Sequence, residues 1–252
     1  MKGGMKLTFL LVICIGFSAT FVGTLAGSGG LIGMPLLLLI GVPVHSAIAS
    51  AKFSNIISSF SSFYYLLKEK EITMKLALSI TPFAVAGGIA GGVLTNSISE
   101  THMKIIAVCL LSFALILNLF KKSTTKQGSA KDKITKRMFP YLFSISAYDG
   151  MFGPGQATLL MIIYLRNGFS YLKAVGLSRF QTFVSCLGAF FMYLGAGNFD
   201  WKIGVCQAAG SFIGAMVSVR LAKRLSLKQV KYLLNAITLL LILQLGYEAL
   251  HS

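Results

Sequence analysis

The chain has 252 residues, of which 55% are hydrophobic and 12% are charged, and its mean hydropathy is +0.77. A soluble domain carries about twice that charged fraction, so the composition excludes a sizeable soluble domain and predicts an all-α, polytopic membrane protein. The formal net charge of +16 comes mostly from Lys and Arg in short loops between apolar runs. Such residues set membrane topology, and nucleic acid is therefore not an expected partner.

Five apolar stretches form the first half of the chain, at about 7–26, 30–41, 44–67, 76–96 and 103–120. Stretches of about 20 residues can cross a hydrocarbon core of about 30 Å, whereas 30–41 is too short and is typical of a half-helix or re-entrant segment. The run Gly27-Ser28-Gly29-Gly30 precedes it. Because glycine breaks a helix and the freed backbone groups cannot face lipid, we expect the N–H groups of Gly29 and Gly30 to point into a polar cavity.

Lys52 lies about eight residues into the third stretch, which corresponds to about 12 Å of helix and to the middle of the hydrocarbon. A charge at that depth is costly unless it is paired or faces a polar cavity. Ser54 and Asn55 are close to Lys52, so we predict that this region binds a ligand. The alternatives are a structural ion pair or a helix-end cation in a shorter span. Glycine pairs in the fourth stretch, Gly87-Gly88 and Gly91-Gly92, favour close helix packing instead.

A segment rich in Lys, Ser and Thr separates the two halves. We divide the chain into a first transmembrane repeat at 7–120, a basic cytoplasmic linker at 121–137 and a second transmembrane repeat at 138–249.

The second repeat has apolar stretches at about 138–152, 155–166, 170–196, 203–222 and 230–249. The chain thus predicts about eight transmembrane helices plus the short segments 30–41 and 155–166. If these two short segments cross the membrane, the repeats are inverted and the basic loops face the cytoplasm. If the segments only dip into the membrane and return, the repeats are parallel. We favour the inverted arrangement.

A shift of 127 residues aligns the two halves without a gap and brings Lys52 onto Arg179. Arg179 has polar neighbours of its own, Gln181 and Thr182. The second half also has a Gly- and Pro-containing break, at which we expect the N–H groups of Gly155 and Gln156 to face the same cavity. Asp149 is the only acid well inside an apolar stretch; pairing with Lys52 or Arg179, coupling to a proton and capping a helix are comparable roles for it.

Several motifs run along the two halves: the first break, the short segment with Pro35, Gly41-Val42-Pro43, His45-Ser46-Ala47, a Ser-rich helix ending in aromatic residues, and Gly150-Met-Phe-Gly153-Pro-Gly155 through Gly214. With these motifs the chain resembles the TauE/SafE membrane transporters over about residues 8–245. The resemblance implies a multi-pass inner-membrane protein of bacterial type that moves small sulfur-containing anions, such as sulfite or sulfonates, without a nucleotide cofactor. The second module usually has more glycine than this chain has around Pro154, which leaves the substrate open.

These patterns predict a secondary transporter that moves a small anion by alternating access. Lys52 and Arg179 would attract the anion, and Ser54, Asn55, Gln181 and Thr182 would supply hydrogen bonds. Asp149 would be a counter-charge, or would couple transport to a proton or another cation. An anion channel is the alternative, since it shares the cationic interior. We find no nucleophile with a base and no set of metal ligands, so we expect no enzyme activity, no metal and no cofactor. The oligomeric state, a homo-oligomer included, stays open.

Overall fold

The computed structural model describes residues 2–26, 30–120 and 133–221. Gly29, most of the basic linker and the last predicted span at 230–249 lie outside these residues. Within them the chain forms ten α-helices and no strand, which confirms the all-α prediction. The helices are α1 (Lys2–Ala26), α2 (Gly30–Leu39), α3 (Val44–Lys68), α4 (Met74–Leu78), α5 (Thr81–Asn96), α6 (Glu100–Phe120), α7 (Phe139–Met151), α8 (Gln156–Arg166), α9 (Tyr171–Gly195) and α10 (Trp201–Leu221), with a 3₁₀ turn at Lys136–Met138.

The helix ends follow from local sequence. Gly41 has a φ of +83° and Gly168 has a φ of +89°, a left-handed conformation that glycine adopts without strain, and these residues separate α2 from α3 and α8 from α9. The hydroxyl of Ser170 accepts the N–H of Lys173 at 3.4 Å and so caps the start of α9. The apolar stretch predicted at 76–96 is interrupted, because α4 ends at Leu78 and α5 begins at Thr81. That stretch was therefore wrongly predicted as continuous.

The most extensive helix contacts pair α1 with α10, α5 with α7, and α3 and α5 with α9, and α3 also packs on α10. Small residues allow this close approach. A Cβ added at Gly88 would overlap the carbonyl of Ser185 on α9, and one at Gly210 would overlap the carbonyl of Ile13 on α1. The glycines of the fourth stretch thus serve helix packing, as the sequence predicted.

By length and apolar composition, Tyr171–Gly195 is the one helix of the described residues that could cross a membrane. The segments Thr8–Gly23, Gly30–Leu39 and Gln156–Arg166 are shorter apolar helices. Large apolar side chains are exposed on α3, α5 and α9, among them Phe60, Leu94 and Phe191. Such an outward-facing apolar surface suits contact with lipid. The number of spans stays a prediction.

Candidate functional site

The start of α2 meets the helix interruption between α7 and α8. In the second half, α7 ends at Met151, and α8 begins only after a turn in which Gly153 and Gly155 have φ values of +105° and +84°. In the first half, α2 begins at Gly30. A Cβ added at Gly30 would lie 3.1 Å from the Cα of Pro154. The start of α2 therefore packs directly against the second interruption, as expected if both breaks serve one site.

A cavity of about 90 Å³ lies at this junction and is bounded by residues of both halves. That volume accommodates several water molecules and hence a small oxyanion. Polar groups from α3, α8, α9 and α10 surround it, together with backbone at both interruptions. Eight of the predicted site residues line the cavity: Gly30, Ser54, Asn55, Asp149, Gly155, Gln156, Arg179 and Thr182.

Arg179 is the only cationic side chain among the described residues that line the cavity. One of its terminal nitrogens, Nη2, donates to the carbonyl of Gly23 at 3.4 Å. No carboxylate of the described residues lies within ion-pair distance of it. Among the described residues its guanidinium thus has no counter-charge, and its other N–H groups could bind an anion beside the cavity.

Lys52 does not line the cavity. Its Nζ donates to the Asp149 carboxylate oxygen Oδ1 at 3.0 Å, to the Asp149 carbonyl and, at 3.4 Å, to the Phe152 carbonyl. Both side chains of the pair are buried, with Lys52 and Asp149 each only 1% exposed. The second carboxylate oxygen, Oδ2, accepts the hydroxyl of Ser185. Lys52 thus forms a buried ion pair with Asp149, which is one of the alternatives that the sequence left open.

The two cations make related contacts across the halves. Lys52, on α3, reaches carbonyls at the C-terminal end of α7, and Arg179, on α9, reaches a carbonyl in the last turn of α1. A cation is favourable at a helix C-terminus, where carbonyls lack partners. The two cations differ in whether an acid is nearby. The repeat shift of 127 residues makes Val22 the equivalent of Asp149, and Val22 carries no charge. Lys52 therefore has a paired acid, whereas Arg179 has none among the residues that the structure describes.

The first turn of α8 offers fewer free N–H groups than predicted. The N–H of Gln156 donates to the Gly153 carbonyl at 3.0 Å, and that of Thr158 donates to the Gly155 carbonyl at 3.0 Å. Ala157, which lines the cavity, keeps an N–H without a backbone acceptor among the described residues. The Gln156 N–H, which we expected to face the cavity, is therefore already used by the turn before α8.

The side chains around the cavity are partly bonded to one another. The Gln156 amide and the Thr182 hydroxyl are 3.0 Å apart, and the Ser54 hydroxyl donates to that of Ser211 at 2.5 Å. Asn55 also lines the cavity. These groups form a neutral polar wall that can offer both donors and acceptors to a ligand.

Gln181 lies away from the cavity. Its Nε2 donates to the Leu142 carbonyl and to the Ser146 hydroxyl, each at 2.8 Å, and its Oε1 accepts the hydroxyl of Tyr164 at 2.7 Å. These bonds use both ends of the amide and hold α9 against α7 and α8. A helix turns by about 100° per residue, so the neighbouring Thr182 faces the cavity while Gln181 faces the packed interior.

Gln207 is a cavity residue that the sequence reasoning missed. It lies on α10, is only 4% exposed, and its Oε1 has no hydrogen-bond partner in the part of the chain that the structure describes. An unpaired buried amide oxygen is costly, so a ligand or water in the cavity would stabilise it. A polar residue in the apolar stretch at 203–222 was the available signal. Among the described residues, no three His, Cys, Asp or Glu side chains gather into a group that could hold a metal ion.

A second charged cluster joins the starts of α3 and α6, away from the cavity. The Nδ1 of His45 lies 2.5 Å from Oε2 of Glu100, and the Nε2 of His45 lies 3.1 Å from the Thr95 carbonyl. The backbone N–H of Val44 donates to the same carboxylate. Burial alone would raise the pKa of Glu100, but the hydrogen bonds from His45 and Val44 outweigh it and hold that pKa below its ordinary value of 4.5.

Comparison with known proteins covers almost the whole chain. The sequence profile of the family described as "Sulfite exporter TauE/SafE" matches residues 12–245. A "Probable membrane transporter protein ORF9" of Sinorhizobium is 29% identical over 253 residues, 97% of this chain and 94% of that protein. A "Probable membrane transporter protein" of Haemophilus influenzae is 29% identical over 216 residues, 84% of each chain. A "Probable membrane transporter protein YdhB" of Bacillus subtilis is 26% identical over 245 residues, 94% of this chain and 99% of that protein.

Proposed function

This chain belongs to the TauE/SafE family of membrane transporters, which are not enzymes, and we propose from that premise that it carries a small anion through the cavity beside Arg179. The observation that carries the proposal is a cavity between the start of α2 and the break before α8, one from each half, at which Arg179 is the only cation among the described residues. In secondary transporters, broken helices commonly form the substrate site near the midplane of the membrane. The protein would be a multi-pass protein of the inner membrane.

Two related repeats support alternating access. A shift of 127 residues converts α3 (Val44–Lys68) into α9 (Tyr171–Gly195) with the same start and end. By the same shift, α7 is the equivalent of α1, and α10 is the equivalent of α5. The contact of α1 with α10 therefore corresponds to the contact of α7 with α5. Each half thus packs against the other in a reciprocal way, so one half could rock against the other and expose the cavity to either side in turn.

The class of anion follows from the cavity and from the family. Arginine binds oxyanions through two parallel N–H groups, and neutral amides and hydroxyls can orient the remaining oxygens. The family description names sulfite. A small sulfur oxyanion, such as sulfite or a sulfonate, is therefore the substrate we propose.

Binding to the purified protein tests this proposal. We expect sulfite or methanesulfonate to raise the melting temperature, with about 2.7 kcal/mol of stabilisation at a concentration 100 times Kd. Arg179→Gln should abolish the shift, whereas Lys75→Gln, which removes an exposed cation, should leave it unchanged. An Arg179→Gln protein that responds like the wild type would refute the site.

Transport in proteoliposomes separates the carrier from the channel. A carrier should show saturable uptake that Arg179→Gln abolishes, because each cycle carries one bound anion. Flux that rises linearly with concentration, at rates far above carrier turnover, would instead indicate a channel.

A further inference from the structure

We infer that this cavity selects singly charged oxyanions and rejects doubly charged ones, an inference that rests on the proposed function and specifies its substrate. The basis is the charge of the cavity lining. Among the described residues, only Arg179 and Asp149 contribute charged side chains to that lining. Because Asp149 is paired with the buried Lys52, the three groups together carry one net positive charge.

The ion pair removes both members from anion recognition. The Lys52 ammonium has its three donors directed at oxygens of Asp149 and Phe152. The Asp149 carboxylate is occupied by Lys52 and Ser185. Neither charge is available to an incoming anion unless the pair breaks, and a buried pair that loses one partner is strongly unfavourable.

The helix ends add only partial charge. A helix N-terminus is equivalent to roughly half a positive charge when its N–H groups are free. In α8 the N–H groups of Gln156 and Thr158 are already bonded within the turn, which leaves that of Ala157 for a ligand. The second charge of a dianion would thus lack a full counter-charge at a depth where an unpaired charge is costly.

Neutral groups then set the orientation of the bound monoanion. Thr182 and Asn55 line the cavity, and so does Gln207, whose amide oxygen has no partner among the described residues. The amide can present either its oxygen or its nitrogen to the cavity by turning over. Compact monoanions with two or three oxygens on one centre, such as an alkanesulfonate or hydrogen sulfite, suit this lining.

Methanesulfonate and sulfate are a matched pair of probes. Both have a tetrahedral sulfur, and they differ by a methyl group in place of one oxygen and by one unit of charge. We expect the wild type to bind methanesulfonate more tightly than sulfate by on the order of 100-fold, measured by isothermal titration.

Two charge variants change this preference in opposite directions. Asp149→Asn leaves the Lys52 charge unpaired, so the sulfate-to-methanesulfonate ratio of Kd values should fall at least about tenfold. The double variant Asp149→Asn with Lys52→Gln again has one net positive charge at the cavity and should show the wild-type ratio. Val22→Asp places an acid at the position equivalent to Asp149, where it can neutralise Arg179, and should abolish methanesulfonate binding. Val22→Asn, the uncharged control of the same size, should retain it.

The outcomes separate this inference from the proposed function. If the wild type binds both probes equally, or if Asp149→Asn keeps the wild-type ratio, the charge rule is overturned while anion transport stands. If neither probe binds the wild type, the proposed function fails as well. Should Asp149→Asn not fold, the wild-type ratio and the two Val22 variants decide the question, because Val22 is outside the ion pair.

Discussion

Lys52→Gln should destabilise the protein far more than the combined change Lys52→Gln and Asp149→Asn. In the single variant the Asp149 carboxylate, 1% exposed, loses its counter-charge. Breaking a buried pair from one side costs about 3–5 kcal/mol. For a chain of this size each kcal/mol lowers the melting temperature by about 2–4 °C, so we expect a fall of about 6–20 °C.

The double variant should recover most of that loss. It removes both charges together, and replacement of a whole buried pair by neutral groups is often close to neutral in stability. The asparagine at position 149 can still accept the hydroxyl of Ser185, and the glutamine at position 52 retains donors for the carbonyls of α7. We expect the double variant to melt within about 4 °C of the wild type, equivalent to about 1–2 kcal/mol.

Thermal unfolding in detergent, followed by circular dichroism, measures these differences. Lys75→Gln is the control, because it removes an exposed cation of the same type. The reasoning would be refuted by a Lys52→Gln protein as stable as the wild type, or by a double variant less stable than both single ones. The double variant should also still bind methanesulfonate, since Arg179 is unchanged, and this separates a positioning role of Lys52 from direct contact with the anion.

Two further predictions concern packing and pH. Gly88→Ala should lower the free energy of unfolding by about 1–3 kcal/mol, because the added Cβ would overlap the carbonyl of Ser185. Gly195→Ala is the control, since its Cβ meets no atom within 4 Å, and it should leave the stability unchanged. Equal melting temperatures of the two variants would contradict this account. The Glu100 carboxylate has a lowered pKa, so its contribution to stability is present above the unfolded pKa and is lost as pH falls through the folded one. Acidification should therefore lower the melting temperature of the wild type more steeply than that of Glu100→Gln, and parallel pH profiles would speak against the contact with His45.

The sequence was informative wherever local chemistry decides the outcome. Gly41 and Gly168 end helices because they adopt positive φ, and the breaks before α2 and α8 were visible as runs of glycine and proline. The interruption between α4 and α5 was missed because the apolar run continues through it. Pro82 was the available sign, since proline is favoured in the first turn of a helix.

The sequence could indicate polar residues of the site, but it could not show where their side chains point or which groups they pair with. Neighbouring residues on a helix face different sides, so polarity alone could not tell that Thr182 lines the cavity while Gln181 packs against α7 and α8. The partner of Lys52 is 97 residues away in sequence, and its choice depends on how α3 and α7 pack together. A repeat spacing can relate Lys52 to Arg179, but it carries no information on which of them an acid neutralises.

The difference between the two cations has a single origin in the sequence. Each cation contacts a carbonyl at the C-terminal end of a helix in the opposite half, Lys52 on α7 and Arg179 on α1. Asp149 adds a negative charge to one interruption, and Val22 leaves the other without one. If both positions were valine, two free cations would favour a dianion; if both were acids, no net charge would attract an anion at all. On the proposed function, one acid in two equivalent positions would leave one cation to bind a singly charged substrate and would keep the other for structure.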